Sequence, residues 1–123
     1  MAVRLASWGK RASKYGNKRV KAAGVSFDSK SEARRWQELL LLQRAGEIRD
    51  LALHPRYSLD VNGHHIAFYV ADFGYECRHE NKWRKVVEDL KAGRVTQTDV
   101  FKLKRKLMWA IHKIDILVTG KET

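Results

Sequence analysis

Apolar residues recur along this chain with two different periods, and the change from one to the other marks its elements. From Ser29 to Gly46, Ala33, Trp36, Leu40 and the Gln43–Arg44 step keep a helical rhythm. Ser29 followed by Glu32 matches a capping box, and Gly46 is a fitting stop. From Glu47 onward the period falls to two. Leu51, Leu53, Tyr57 and Leu59 share one parity, which predicts a strand kinked at Pro55 or placed at an edge there. Asn62-Gly63 is a hairpin turn signal. Residues 65–76, HIAFYVADFGYE, are apolar on both faces and predict a central strand. RHENK turns again, and WRKVVEDLKA predicts a third strand pairing back. A second helix is expected over residues 98–113, with Val100, Leu103, Leu107 and Ala110 facing inward. IDILV, residues 114–118, closes as a short strand. Upstream, RVKAAGVSF alternates weakly around Ala23-Gly24 and predicts a short hairpin or extended entry. Residues 1–17 have no clear period. They read as a basic flexible arm with Trp8 and Tyr15 as anchors, and residues 18–123 as one folded domain. The order is helix, three strands, helix, strand, without internal repeats.

Charge changes this picture more than composition does. The 123 residues are 44% hydrophobic and 10% aromatic, as a folded globule requires. They carry 25 Lys and Arg against 14 Asp and Glu, a net charge of +11. Residues 1–27 hold seven of the basic side chains (Arg4, Lys10, Arg11, Lys14, Lys18, Arg19, Lys21) and no acid. Such a surface suits a polyanion. Nucleic acid is favoured over anionic membrane, because the N-terminal segment lacks a sustained apolar helical face to insert. The longest uninterrupted apolar run, Ile66–Ala71, falls far short of the roughly 18 residues of a membrane span. There is no apolar signal-peptide core near the start, and the single Cys77 excludes an internal disulfide, so a cytoplasmic location is expected.

Against this basic background, the acids inside the predicted strands stand out. Asp72 interrupts an apolar run, and Glu88, Asp89 and Lys91 lie in the third strand. Residues two apart on a strand share a face, so Asp89 and Lys91 project together and Glu88 points to the other side, solvated or supporting the site from behind. With Asp72 opposite in the neighbouring strand, two carboxylates and an ammonium converge. Two hard oxygen ligands suit Mg²⁺, with Mn²⁺ as a substitute, completed by waters and substrate phosphate. The metal would polarise a phosphoryl oxygen and help generate hydroxide, while Lys91 neutralises developing charge or orients the water. That is phosphodiester hydrolysis.

Asp72 followed by Asp89-x-Lys91, in this element order, resembles the PD-(D/E)XK nuclease superfamily. KYGNKRV, GVSFDSKSEA, AGEIRDLALHP, YVADFGYE, VVEDLKAG and FKLKRKL resemble more closely a small phage and prophage family of Holliday-junction-resolvase-like endonucleases, from about Lys14 to Val118. The resemblance implies an α/β fold: a restriction-endonuclease-like αβββαβ core, its mixed central sheet of about four strands flanked by helices. It implies a metal-dependent DNA endonuclease acting on duplex or branched DNA in a host bacterial cytoplasm. Asp72 and Asp89 would be metal ligands, Lys91 the catalytic lysine, and Glu32 a further acid from the first helix. Asp89 stands where the superfamily more often has glutamate.

Each of these residues also has a plainer reading. Glu32 completes the Ser29 capping box equally well. Asp89 and Lys91 could form an ordinary same-face ion pair, and Asp72 a hydrogen-bonded structural aspartate. His64, His65, Cys77 and His79 fit no standard zinc spacing. His112 reads as a surface residue at a helix C-terminus. Lys102, Lys104, Arg105 and Lys106 either solubilise the second helix or, with Lys10, Arg11, Lys14, Lys18 and Arg19 of the arm, grip a phosphate backbone. The alternative function is a non-catalytic DNA- or RNA-binding protein using the arm and second helix. A homodimer is expected, since two coordinated cuts need two sites. Leu39–Leu42, apolar most of the way round its helix, and the arm around Trp8 are the candidate interfaces.

Overall fold

Two short strands, β1 (Val20–Ala22) and β2 (Val25–Phe27), pair antiparallel with Val20 opposite Phe27. They turn through Gly24 at φ +81°, a left-handed conformation that needs no Cβ to be accommodated. Helix α1 (Lys30–Arg44) follows, and the Ser29 hydroxyl accepts its Glu32 amide at 3.2 Å. This satisfies a first-turn donor that has no partner within the helix. At the far end Gly46 N donates to Gln43 O and Glu47 N to Leu42 O, both at 3.0 Å, the paired bonds of a Schellman stop. Phe27 and Trp36 bring α1 against the hairpin, their ring centroids 6.1 Å apart. This computed structural model describes residues 20–22, 24–27, 29–91 and 97–120, and the chain divides after Glu47 into two compact units. The expected arm, residues 1–17, lies outside the described residues.

The second unit holds β3 (Ile48–Leu53), β4 (Arg56–Val61), β5 (His64–Val70), β6 (Phe73–His79) and β7 (Lys82–Leu90). Helix α2 (Asp99–Leu107), a π-helical turn (Met108–His112) and β8 (Leu117–Thr119) complete it. Its four-stranded sheet has the order β3-β6-β7-β8, antiparallel except for β8, which runs parallel to β7. The protein is therefore α/β with a mixed four-stranded sheet.

Two strand predictions need correction. The segment around Pro55 is two strands rather than one kinked strand, and residues 65–76 likewise divide, at Ala71–Asp72. The pairing nevertheless keeps one register across the break: Leu53 faces Phe73 and Arg56 faces Val70. A single long antiparallel ribbon bends out of the sheet and continues as a separate β4–β5 pair. The bend has local causes. Pro55 cannot donate to a ladder, and His54 takes φ +54°. Across the corner His54 N donates to Asp72 O at 2.9 Å, and Ala71 N to Pro55 O at 3.0 Å. Because β5 leaves the sheet it is no central strand: Ile66 and Phe68 are 56% and 42% exposed. Both hairpins close through two-residue loops with positive φ, Asn62-Gly63 and Glu80-Asn81, whose twist matches that of the strands they join.

The inward face of α2 also differs from expectation. Phe101 and Met108 are buried, while Val100 and Leu103 are 62% and 58% exposed. Ala110 is exposed as well, and only Leu107 of the expected set packs on the core. Phe101 and Met108 share their face with half-buried Lys104 and Arg105, whose apolar stems disguise it in sequence. Arg105 donates inward to Ile116 O at 3.1 Å and lies 3.6 Å from Asp115. The core beneath comprises Leu59, Tyr69, Ala71, Val87, Phe101, Met108 and Ile116. His112 ties the π-helical turn to β4, its Nε2 2.9 Å from Ser58 O.

Gly74 sits under the corner, where a Cβ would meet Pro55 Cγ at 3.0 Å. Gly74→Ala is expected to destabilise the fold by about 1–3 kcal/mol, because neither the ring nor the strand yields freely. Urea unfolding measures this; an unchanged midpoint would mean that the corner is loosely packed.

Candidate active site

The bend creates the site. β6 and β7 pair as far as Phe73 opposite Glu88, and there the ribbon turns away. The Leu90 amide, beyond the last pair, donates instead to the Asp72 carboxylate at 2.7 Å. Asp72 N in turn donates to Glu88 O at 3.2 Å. Asp72 is thus fixed to β7 by both backbone and side chain. On its other flank, β8 continues the sheet with Asp89 opposite Val118, and Lys91 N donates to Thr119 O at 2.9 Å.

Asp89 is 6% exposed. Its Oδ2 accepts the Tyr69 hydroxyl at 2.5 Å, and its Oδ1 lies 3.5 Å from Lys91 Nζ. The ammonium also rests over the Phe101 ring, 4.4 Å from its centroid, a cation–π contact that holds it beside Asp89. Burial pushes the Tyr69 hydroxyl pKa far above its ordinary value, and the hydrogen bond and negative charge of Asp89, with the charge of Asp72, push it further. Arg105 opposes this weakly. The Tyr69 hydroxyl therefore stays a proton donor toward Asp89.

Glu88 lies on the opposite face, as alternation requires, but it is not solvated. It is fully buried and accepts the Tyr75 hydroxyl at 2.6 Å. Asp72, Asp89 and Lys91 come together at the end of β7. Glu32 lies in the first unit, in the first turn of α1. Of the basic residues on α2, Lys102 and Lys106 are exposed, whereas Arg105 is occupied with Ile116 and Asp115. The arm residues Lys10, Arg11, Lys14, Lys18 and Arg19 lie outside the described residues.

Sequence reasoning missed Tyr69 and Phe101. The available signal was a tyrosine inside an apolar run, since a buried hydroxyl needs a partner. It also missed a second polar cluster on the β4–β5 ribbon. There Ser58 Oγ and His65 Nδ1 each lie 2.8 Å from Asp60 Oδ1. The Ser58 hydrogen bond, then that of His65, lowers the Asp60 pKa. Ser58 Oγ also lies 3.0 Å from His65 Nδ1, so the three side chains form one hydrogen-bonded cluster on the ribbon.

Tyr69 has a measurable pH signature. Its folded pKa is raised, so above an ordinary tyrosine value near 10 the unfolded chain loses a proton that the folded chain keeps, and stability falls as pH rises. Tyr69→Phe is expected to cost about 1–3 kcal/mol at neutral pH through the missing donor to Asp89. It should also flatten the decline in stability between about pH 9.5 and 11. Chemical denaturation across that range checks both effects, and an equally steep decline in the variant would locate the titration elsewhere.

Comparison with known proteins adds one match, to a family described as Protein of unknown function (DUF1064), over residues 12–118. No curated protein and no solved structure matches the chain. The matched span runs from before β1 into β8 and takes in Asp72, Asp89 and Lys91, so the chain belongs to the DUF1064 family.

Proposed function

We propose that this protein is a metal-dependent DNA endonuclease of phage or prophage origin, hydrolysing phosphodiester bonds on duplex or branched DNA from a restriction-endonuclease-like core. The observation that carries the reading is the meeting of three charged side chains at the end of β7: Asp72 accepts the Leu90 amide at 2.7 Å, and the neighbouring Asp89 and Lys91 lie 3.5 Å apart. The chain order α1, three sheet strands, α2 and a parallel final strand supports the fold half of the proposal. The net charge of +11 supports a polyanionic substrate. Two carboxylates beside a phosphate repel it unless cations intervene, which a binding surface alone does not explain.

The donor set fits Mg²⁺. Asp72 and Asp89 offer hard oxygens, and among the described residues no group of three or more His, Cys, Asp and Glu side chains is assembled for a metal. A site of one or two carboxylates completed by waters and phosphate oxygens is characteristic of Mg²⁺, with Mn²⁺ able to substitute. When bound, the cation supplies polarisation of a phosphoryl oxygen and a more acidic water. The protein's own residues do the rest. Asp72 and Asp89 would hold the cation, each fixed by a donor, the Leu90 amide or the Tyr69 hydroxyl. Lys91, restrained by Asp89 and Phe101, directs its ammonium at charge that builds as the water oxygen attacks phosphorus and the leaving oxygen departs. Glu32 is the further acid that the resemblance contributes from the first helix.

Asp72→Ala, Asp89→Ala and Lys91→Ala are each expected to slow cleavage of linear, nicked or four-way-junction DNA by about a hundredfold or more, the order of magnitude for removing one group that stabilises a transition state. Binding measured in EDTA should be largely retained. Glu88→Gln, which keeps an acceptor for Tyr75 on the opposite face, should cleave near the parent rate. Glu32→Gln preserves the Ser29 cap on its amide, so any loss of cleavage there belongs to the carboxylate. Absence of Mg²⁺- or Mn²⁺-dependent cleavage by the parent, with binding intact, would leave a non-catalytic nucleic-acid-binding protein instead.

The working unit is proposed to be a homodimer. Leu39 is fully buried, but Leu41 and Leu42 are 61% and 36% exposed on the same helix, an apolar surface suited to a two-fold partner. Light scattering should give twice the chain mass for the protein alone and twice the chain mass plus one junction for the complex. A monomer in both conditions that still makes paired incisions would exclude the dimer.

A further inference from the structure

The sheet face that carries Asp89 extends well beyond the acids. Along β7, Asp89, Val87, Lys85 and Trp83 alternate onto one side. Register places Glu76 against Lys85 and Arg78 against Trp83 on β6, and Arg49 of β3 against Glu76. At the Val87 end the face is covered by the core. Toward the β6–β7 turn it is open, with Arg49, Arg78 and Lys85 exposed and Trp83 half-buried.

The open part is ordered rather than merely charged. The Arg49 guanidinium lies 4.2 Å from the Trp83 ring centroid, and that of Arg78 lies 5.9 Å from it. Glu76 holds Arg49 Nε at 2.7 Å, and Asp50 lies 3.9 Å from the same nitrogen. Three cations, Arg49, Arg78 and Lys85, stand against two carboxylates, Glu76 and Asp50, both of them at Arg49, so a positive excess from Arg78 and Lys85 remains beside a flat aromatic ring. An unpaired nucleic-acid strand needs that combination: a π surface for an exposed base and cations for its phosphates. A duplex keeps its bases stacked within and could use only the cations. Trp83 stands six residues and Lys85 four residues from Asp89 on one strand, about 20 and 13 Å at β-strand rise.

We propose that Arg49, Arg78, Trp83 and Lys85 form a docking strip for an unpaired nucleic-acid strand at the open end of this face. The docking does not depend on the endonuclease reading.

Anisotropy of a labelled single-stranded oligonucleotide and of a duplex of equal length, both in EDTA, separates docking from cleavage. Trp83→Ala is expected to weaken single-strand binding about tenfold, as removal of a stacking platform does, and duplex binding by less than about twofold. Trp83→Phe should restore most of the single-strand affinity. Arg78→Ala should lower the log–log salt slope on the single strand by about 0.7 for each phosphate that is no longer neutralised. Equal weakening on both substrates, or none, would overturn the strip. So would poly-glutamate competing as well as oligothymidylate, which would assign the face to an acidic protein. If Trp83→Ala fails to show the parent's cooperative melt, Arg78→Ala decides, and an unchanged slope overturns the proposal. Normal docking by a parent that does not cleave would refute the endonuclease reading and leave the strip standing.

Discussion

Two backbone hydrogen bonds across one corner, His54 N to Asp72 O and Ala71 N to Pro55 O, determine what the rest of the second unit can be. They let a continuous antiparallel ladder leave the sheet without losing register. Because it leaves there, the end of β7 has no backbone partner on the β6 side past Glu88, and the Asp72 side chain takes the Leu90 amide. The departing ribbon in turn carries Tyr69 to Asp89. Close approach of Pro55 to Gly74 seals the corner. The candidate site is thus a product of where the ribbon bends, and its residues could not be moved along the strands without losing that geometry.

β7 places two acids side by side in sequence and buries both, a costly arrangement that is tolerated because each receives a hydroxyl. Tyr75 serves Glu88 on one face, and Tyr69 serves Asp89 on the other. The two faces then differ in one respect that matters for chemistry. Asp89 has a lysine and a second aspartate in its neighbourhood, whereas Glu88 has the Thr119 hydroxyl at 3.5 Å. The Asp89 carboxylate thus meets a hydroxyl and an ammonium together.

Much of this was legible in residues whose meaning is local. Ser29, Glu32 and Gly46 marked α1, and Asn62-Gly63 marked a turn, because caps and positive-φ turns depend on a few neighbours. Period-two alternation separated Asp89 and Lys91 from Glu88 for the same reason. The break at Ala71–Asp72 was invisible, since alternation runs through it unchanged and its cause lies across the ribbon at His54 and Pro55. Pro55 signalled a disturbance but not its size. The face of α2 was misassigned because Lys104 and Arg105 contribute apolar stems to it, and a binary pattern counts them as polar. The role of Tyr69 depends on a partner twenty residues away, which no local pattern supplies.

The parallel pairing of β7 with β8 has a temporal consequence. Residues 88–90 meet residues 117–119 only after α2 and the π-helical turn have been made and folded back. Until then β7 is an edge strand, Lys91 lacks its Thr119 carbonyl, and Phe101 is not yet in place beneath the ammonium. Long-range parallel pairings form late because chain closure must precede their reward. During synthesis, therefore, a ribosome-bound chain still lacking β8 carries Asp72, Asp89 and Lys91 without the strand that anchors the end of β7.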